Sequence, residues 1–419
     1  MAGDAPLALV VSPSLQGHRL TYCRVLSGLL RDLGRRVVVA GDMCDRDVSG
    51  AGLLTDLGRW PGVELLDISG RHEDGRFGAE GLAALLREVG PDTTLLTEAD
   101  GQIPALAAQR ATSGGRLPGR LIGLFIRSTN YIYQPKASLS VRARRRLRGS
   151  ARGVVGHRAF HEDLVARDHV LDAALVLDEN YAQGHLSGHA WMPDIFRETD
   201  EPHPGSEGEA DQWAGRVGAF LAEPRRGPVI VYVGAVQQRR GYDMLLRLAL
   251  EQGGSFVHCG QLDDRDTSER EVVGLREALA ARGALLETAA PYLAPETADV
   301  FFRAARCVVL PYRGHLGSSG IMLQALAAGR PVLVPDRGLM AWRVRTFGLG
   351  DTYRDGDTHD LCRRFRALEA AGPETYADAL GAYMHSFSRA QLRAAIEAAV
   401  EGSGPGATLP QAALGRVSA

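Results

Sequence analysis

The feature that most restricts the fold is an alternation of short β-branched or leucine-rich runs with Ala/Leu/Arg stretches of helical period. Strands that alternate with helices predict a parallel sheet covered on both faces. The predicted strands are residues 7–12, 36–40, 93–97, 121–126 and 173–177 in the first half, and 228–233, 255–259, 284–287, 307–310 and 331–334 in the second. The main helices between them are 20–33, 242–251 and 321–328. The fold class is therefore α/β.

A chain of 419 residues is too long for one ordinary core, and the alternation is interrupted once. Residues 196–227 are rich in Pro, Gly, Glu and Asp, with EPHPGSEGE as the most linker-like part, so the boundary is predicted between Pro193 and Gly227. We predict an N-terminal domain over 1–195, a linker over 196–227 and a C-terminal domain over 228–374. Residues 375–402 are expected to cross back as a helix, and 403–419 to be disordered.

Charge and cysteine usage exclude several classes. The formal net charge of −2 gives no reason to expect nucleic-acid binding. Five scattered cysteines without a CxxC pair argue against a disulfide framework or a zinc site. With no charged segment preceding an apolar run at the start, and no apolar stretch of membrane-spanning length, the sequence predicts a soluble cytoplasmic protein. One basic run consists of Arg142, Arg144, Arg145, Arg146 and Arg148. Such a run could dock on anionic membranes, but a solvated helix face is the commoner outcome and is favoured here.

The most specific chemistry lies in CVVLPYRGHLGSSGIMLQALAAGRPVLVPDRG, residues 307–338. An apolar strand is followed by a loop with Ser318, Ser319 and Gly320, which opens directly onto a helix. Helix N-termini offer N–H groups and a partial positive charge, and glycine lets the backbone approach a ligand, so such a start binds phosphate. A plain N-cap with a tight turn is an equally good explanation for the loop taken alone.

A second motif is VIVYVGAVQQRRGYDMLLRLA, residues 229–249. Its strand ends at Gly234, and Arg239 and Arg240 follow before Gly241 and a helix. Guanidinium donors match phosphate oxygens, so the arginine pair could clamp a diphosphate. Alone, the pair reads more simply as a solvated charged turn.

Together and in this order, the two motifs resemble the C-terminal domain of retaining GT-B glycosyltransferases, the large family that shares a glycogen synthase/sucrose synthase-like donor domain. The match is Leu310-Pro311-Tyr312 followed by LQALAAGRPV, residues 323–332. The resemblance covers about residues 228–350 well, and the N-terminal half only in architecture. It implies two Rossmann-like domains facing a cleft and a nucleotide-diphosphate sugar, UDP- or GDP-linked, as donor.

The resemblance assigns donor binding to Gly17, Arg239, Arg240, Ser318, Ser319, Gly320 and Gln324. The donor site departs from the family pattern at several positions. Gln324 stands where the family usually has a glutamate that binds the donor ribose, and a glutamine can still form hydrogen bonds there. The other family glutamate falls near Leu316 and is absent. These departures put the identity of the donor in question.

The N-terminal half is expected to bind the acceptor. Polar residues follow its predicted strands, and strand-end carboxylates could hold sugar hydroxyls or act as a base. The catalytic candidates are Asp100, Glu98 and His18, and the acceptor-side candidates are Arg127 and Asn130. Helix capping and complementation of the helix dipole are the competing explanations for these residues. The histidine that many retaining members carry near the donor sugar has no counterpart that we can place.

The expected activity is therefore transfer of a hexosyl group to an unidentified acceptor with retention, without a metal or other cofactor. The resemblance also implies that the leaving phosphate takes the acceptor's proton. Two alternatives stay open. One is another enzyme on this fold, such as a nucleotide-sugar 2-epimerase. A phosphorylase is disfavoured, because phosphorylases of this fold carry a pyridoxal lysine and Lys136, the only lysine, lies in the N-terminal half. The other is a non-catalytic protein that binds a nucleotide sugar or a partner enzyme.

Overall fold

The computed structural model describes residues 5–15, 18–44, 48–73, 76–100, 117–126, 171–183, 189–197, 206–223, 227–262, 269–288, 294–402 and 406–410. The chain divides into two compact units. Unit 1 comprises Met1–Glu198 and Ser388–Leu409, and unit 2 comprises Thr199–Phe387 and Pro410–Ala419. Among the described residues, no helix is both long enough and apolar enough to cross a membrane.

Unit 1 is built on a seven-stranded sheet. Its strands are β1 (Leu7–Ser12), β2 (Arg36–Gly41), β3 (Val63–Asp67), β6 (Thr93–Leu96), β7 (Arg120–Phe125), β8 (Ala173–Val176) and β9 (His189–Trp191). The short strands β4 (His72–Glu73) and β5 (Arg76–Phe77) form a separate antiparallel pair. The strand order is β3-β2-β1-β6-β7-β8-β9, and every neighbouring pair is parallel. Strands buried on both faces explain the nearly continuous apolar runs of the sequence.

Two apolar layers cover the faces of this sheet because alternate residues of each strand point to opposite sides. Ala8 and Val10 join one core, and Leu9 and Val11 the other. The first core takes in α1 (His18–Asp32) and α2 (Val48–Leu57), and the second takes in α3 (Ala79–Val89). The short helix α4 (Glu179–Gln183) follows β8.

Unit 2 contains two parallel three-stranded sheets that adjoin where β10 lies beside β13. The first sheet is β10 (Val229–Val233), β11 (Ser255–Cys259) and β12 (Leu285–Thr288), and the second is β13 (Val308–Val309), β14 (Val332–Pro335) and β15 (Gly350–Tyr353). Its helices are α5 (Ser206–Ala222), α6 (Tyr242–Glu251), α7 (Arg270–Ala281), α8 (Pro295–Ala304), α9 (Gly320–Ala327), α10 (Gly338–Phe347), α11 (Thr358–Ala371) and α12 (Ala377–His385).

Two segments differ from their sequence-based descriptions. Residues 196–227, described as a linker, contain the 17-residue helix α5, which packs on α8 with the Trp213 and Phe301 rings 5.7 Å apart. The polar composition of residues 196–227 concealed the apolar side chains with which α5 packs on α8. Residues 375–402, described as one crossing helix, contain α12 and a separate helix, α13 (Arg389–Glu401). The division between units falls between them, at Phe387 and Ser388.

Candidate donor-phosphate site

The loop after β10 is held in place by its glycines. Gly234 has a φ of 105° and donates its N–H to the carbonyl of Cys259 at 2.8 Å, which ties the loop to β11. A 3-10 helix, Gln238–Arg240, follows and ends at Gly241, which has a φ of 69°. A Cβ at Gly241 would lie 2.5 Å from the carbonyl oxygen of Pro311. This close approach of two backbones requires glycine and brings the β10 loop against residue 311.

The two arginines of this loop have different surroundings. Arg239 is exposed, whereas Arg240 is half-buried. The Nη1 atom of Arg240 lies 2.8 Å from the position that a Cβ of Gly234 would take. Its Nε is buried and has no hydrogen-bond partner among the residues that the structure describes. In the part of the chain that the structure describes, neither arginine has a carboxylate within 4.0 Å.

The serines before α9 have separate structural roles. Ser319 is the N-cap, and its Oγ accepts a hydrogen bond from the Met322 N–H at 3.3 Å. Ser318 Oγ accepts from Arg343 Nη1 at 2.8 Å, and the Ser318 carbonyl accepts from His315 Nε2 at 2.9 Å. Gly320 is exposed at the first position of the helix. Ser319 thus has the capping role that explains the loop without a ligand, and the exposed Gly320 beside it remains a candidate for phosphate binding.

The structure brings the two motifs together through Arg313, which the sequence analysis did not single out. Its backbone N–H donates to the Arg239 carbonyl at 2.7 Å, and its Nη1 donates to the Gln238 carbonyl at 2.9 Å. Its Nη2 pairs with Asp243 at 2.6 Å, at the start of α6. Ile321, in the first turn of α9, and Arg240 line the same small cavity. The loop that carries Arg239 and Arg240, called the arginine loop below, and the start of α9 therefore form one cluster.

The electrostatics of the cluster favour an anion. Burial lowers the pKa of His315, and the neighbouring charges of Arg239 and Arg240 lower it further. A neutral His315 then donates its Nε2–H to the Ser318 carbonyl. The helix start adds the positive end of the α9 dipole to the two arginines. Gln324 is half-buried one helical turn after Gly320.

A buried polar network contacts the β10 loop through His258. His258 on β11 is fully buried, and its Nε2 lies 3.4 Å from the Gly234 carbonyl. Burial lowers the pKa of His258 to about 4, so the ring is neutral. Beside it, Tyr242 donates its hydroxyl to Glu287 at 2.7 Å, and Arg276 bonds both oxygens of that carboxylate. No motif marks this network, since its members come from four separate elements.

The unit 1 candidates lie at the carboxyl ends of their strands, and both carboxylates already have partners. Glu98 forms an ion pair with Arg19 Nε at 2.7 Å, and Arg19 also donates to Ser14 Oγ at 3.0 Å. Asp100 accepts a hydrogen bond from the Ile126 N–H at 2.7 Å, which ties the end of β7 to the segment that follows β6. His18 is the first residue of α1. Gly17, Arg127, Asn130 and the basic run from Arg142 to Arg148 lie outside the described residues.

No family model matches this chain. It is 28% identical over 183 residues to the D-inositol 3-phosphate glycosyltransferase of Acidothermus cellulolyticus, an alignment that covers 41% of this chain and 37% of that protein. The matched region is therefore well under half the length of the curated relative.

Solved structures match along almost the whole chain. Sucrose-phosphate synthase from Thermosynechococcus elongatus superposes with a TM-score of 0.56 at 15% identity, over 95% of this chain and 97% of that one. Anabaena HepE in complex with UDP gives 0.60 at 12%, over 95% and 100%. A Listeria monocytogenes protein assigned as a UDP-N-acetylglucosamine 2-epimerase gives 0.58 at 13%, over 97% and 100%. The chain has the GT-B fold.

The GT-B fold and the resemblance to glycosyltransferases, both predicted from the sequence, are confirmed. The retaining stereochemistry stays a prediction, as do the roles of the site residues. In this GT-B chain the two motifs of unit 2 form one positively charged cluster. Likeness at 12–15% identity extends to the fold alone.

Proposed function

We propose that this chain is a glycosyltransferase that moves a hexosyl group from a UDP- or GDP-sugar to a small acceptor. The donor's diphosphate would bind between the arginine loop and the start of α9. The observation that carries this proposal is Arg240, whose half-buried guanidinium stands beside Gly234 and pairs with no carboxylate among the described residues. A phosphate would supply the charged hydrogen-bond acceptor that this guanidinium lacks.

In the proposed reaction, the bond between the sugar's anomeric carbon and the donor's phosphate oxygen breaks. The electron pair leaves with the diphosphate, and the acceptor's hydroxyl oxygen forms the new bond to that carbon. The acceptor's proton passes to the leaving phosphate. Because negative charge grows on the diphosphate, donors fixed in advance at that position stabilise the transition state. Arg240, Arg239 and the N–H groups at Ser319 and Gly320 would fill this role.

The partly engaged carboxylates of unit 1 are the candidates for the acceptor side. Glu98 is held by Arg19 and Asp100 by the Ile126 N–H, so each has an oriented carboxylate. A carboxylate of fixed orientation can accept hydrogen bonds from sugar hydroxyls. We propose Glu98 and Asp100 as acceptor-binding residues, with His18 as a third candidate.

A second candidate function is nucleotide-sugar epimerisation, which the fold match to the Listeria protein favours. A third is nucleotide-sugar binding without turnover, favoured by Leu316 and Gln324 at the two glutamate positions. One experiment separates all three. Purified protein is incubated with a panel of UDP- and GDP-sugars, with and without a mixture of acceptor alcohols and sugars.

A glycosyltransferase releases nucleoside diphosphate faster when an acceptor is present. An epimerase inverts the configuration at one carbon of the sugar, and its product is still a nucleotide sugar. A binding protein does neither, yet its melting temperature rises with the nucleotide, because a ligand at a hundred times its Kd adds about 2.7 kcal/mol of stability. Sugar isomerisation without acceptor-dependent release would contradict the transferase proposal.

A further inference from the structure

Arg343 is an arginine in an unusual place. It lies on α10 and is fully buried, with 0% of its surface exposed. Burying a guanidinium is costly unless hydrogen bonds and charges compensate for the lost water. Its Nη1 donates to Ser318 Oγ at 2.8 Å, and its guanidinium carbon lies 5.8 Å from the centre of the Phe387 ring. A permanent positive charge is thus held directly behind the loop that opens α9.

Ser318 is held at two points by two basic side chains. Arg343 donates to its Oγ, and His315 Nε2 donates to its carbonyl oxygen at 2.9 Å. A guanidinium has no acceptor, so the Ser318 hydroxyl must accept the hydrogen bond from it. Donation from a charged group also polarises the hydroxyl and makes it a stronger donor. The two contacts restrict both the backbone and the rotamer of Ser318.

The helix that carries Arg343 is itself attached to the loop. The N–H of Leu339 donates to the Leu316 carbonyl at 2.9 Å. Gly338 has a φ of 80°, and a Cβ there would lie 2.8 Å from the Cα of Leu316. The start of α10 therefore lies against the backbone two residues before Ser318. This attachment fixes the distance over which Arg343 reaches the loop.

We propose that Arg343 is a positioning residue for the donor's diphosphate, acting through Ser318, whose hydroxyl it orients toward the phosphate. The inference rests on the proposed function of the site, and adds that Arg343 contributes to phosphate recognition without touching the ligand.

The test compares a diphosphate with its nucleoside, so that a general loss of structure is distinguished from a loss of phosphate recognition. Affinities for UDP and for uridine are measured by calorimetry in wild type, S318A, R343M and the double variant, with GDP and guanosine as the second pair. R343M is expected to weaken diphosphate binding by at least about tenfold, the loss that follows one charge-assisted hydrogen bond. Nucleoside affinity should stay within about twofold.

The double variant decides whether Arg343 acts through Ser318. If it does, the loss caused by R343M largely disappears in the S318A background, because the interaction it supports is already gone. R343K keeps the charge but not the planar geometry, and should bind UDP with an affinity between those of wild type and R343M. Additive losses in the cycle, or equal weakening of UDP and uridine, overturn the proposal.

A matched control is R24M in unit 1. Arg24 is also a buried arginine, 6% exposed, and donates to the Leu53 carbonyl at 2.6 Å and pairs with Asp56. Its loss should lower the melting temperature and leave UDP affinity unchanged. A wild-type chain that binds neither diphosphate overturns the proposed function together with this inference. A wild-type chain that binds UDP no better than R343M does overturns this inference alone.

Discussion

At the scale of single residues, Arg239 and Arg240 are adjacent in sequence and yet have different environments. Arg239 points to solvent, where water and salt screen its charge. Arg240 is half-buried beside Gly234, and within the described ranges its Nε has no hydrogen-bond partner. The same ligand should therefore depend on the two side chains to different degrees.

Arg240→Ala is expected to weaken UDP or GDP binding by at least about tenfold, since a charge-assisted contact is worth about 1.5–3 kcal/mol. Arg239→Ala should cost less than about 1 kcal/mol, because an exposed ion pair contributes little. Calorimetric titration of the variants measures both. The exposed Arg282, at the end of α7, supplies a control variant with unchanged affinity. Normal binding by the Arg239/Arg240 double variant would show that the phosphates lie elsewhere.

Gln324 tests whether the family's ribose contact survives as an amide. Gln324→Leu should weaken nucleotide-sugar binding by about 1–3 kcal/mol, because the ribose hydroxyls lose a partner. Gln324→Glu should keep the fold and bind at least as well, because a carboxylate accepts stronger hydrogen bonds from hydroxyls. Titration of both variants with the best donor measures this difference. An unchanged affinity in the leucine variant would remove Gln324 from the site and favour the non-catalytic alternative.

His258 gives unit 2 a predictable sensitivity to acid. Its pKa is lowered by burial from 6.5 to about 4, so between these values the unfolded chain binds a proton that the folded chain does not. The stability that this neutral ring contributes is complete above pH 6.5 and is lost progressively as the pH falls to about 4. The loss amounts to about 3 kcal/mol.

Hydrogen exchange of the peptides that cover β10 and β11, in wild type and H258F at several pH values between 7 and 4, measures this contribution within unit 2. The free energy of opening of these peptides should fall more steeply in wild type than in H258F over this window, since phenylalanine does not titrate. Acidic side chains affect both proteins alike, so the difference between the two slopes isolates the histidine. Parallel slopes would mean that His258 is protonated without penalty in the folded state.

At the scale of elements, the site is made by loops that follow strands and are joined to each other by backbone contacts. The 3-10 helix after β10 meets the loop after β13 at Gly241 and Pro311, and Arg313 bonds the same two segments. The first loop has one 3-10 turn of hydrogen bonds of its own, and its contacts with the second loop fix where that turn stands. These contacts therefore help to set the position of Arg240.

Gly241→Ala should disturb this junction. Alanine at a φ of 69° is strained, and its Cβ would lie 2.5 Å from a carbonyl oxygen that cannot rotate away. We expect a loss of roughly 1–3 kcal/mol of stability together with weaker UDP binding. The matched control is Gly274→Ala inside α7, where nothing lies within 4 Å of the new Cβ.

Gly274→Ala should stabilise the protein by about 0.5–1 kcal/mol, because alanine is the better helix former. Thermal melts and UDP titrations of both variants make the comparison. If Gly241→Ala binds UDP as wild type does, the junction does not set the geometry of the site.

At the scale of the whole molecule, the chain passes from unit 1 to unit 2 after Glu198 and enters unit 1 again at Ser388. The returning segment is α13, which packs on α1, β7 and β8. Its apolar face completes one of the two cores of unit 1, and Arg120 Nε donates to the Ala399 carbonyl at 2.6 Å. A unit 1 cut from the sequence at residue 198 would therefore lack part of its own core.

Ile396→Ala, in the buried face of α13, should cost about 2–5 kcal/mol in unit 1. Hydrogen exchange resolved by peptide is the suitable measurement, since a single unfolding free energy is not well defined for a chain of two units. Protection should fall more in β1 and β7 than in β10 and β14. Leu368→Ala, in the core of unit 2, should give the reverse pattern. Equal losses in both units for both variants would contradict this assignment of α13.

Local patterns determined the elements and, through them, the fold class. Strand β1 spans the predicted residues 7–12, β11 the predicted 255–259 and α6 the predicted 242–251. Apolar periodicity and glycine stops depend on residues close in sequence, so they can be read without coordinates. The GT-B resemblance likewise came from contiguous motifs, and the fold comparison confirms it.

Only the tertiary structure decided which polar residues already have partners and which are left for a ligand. Glu98 and Asp100 were interchangeable as candidates until the structure paired one with Arg19, 79 residues away, and the other with Ile126. Arg343 and Ser318 are 25 residues apart and belong to no shared motif, and α5 was concealed by polar composition. Contacts between distant residues arise when packing brings elements together, and that packing depends on the whole core, so no local pattern specifies them.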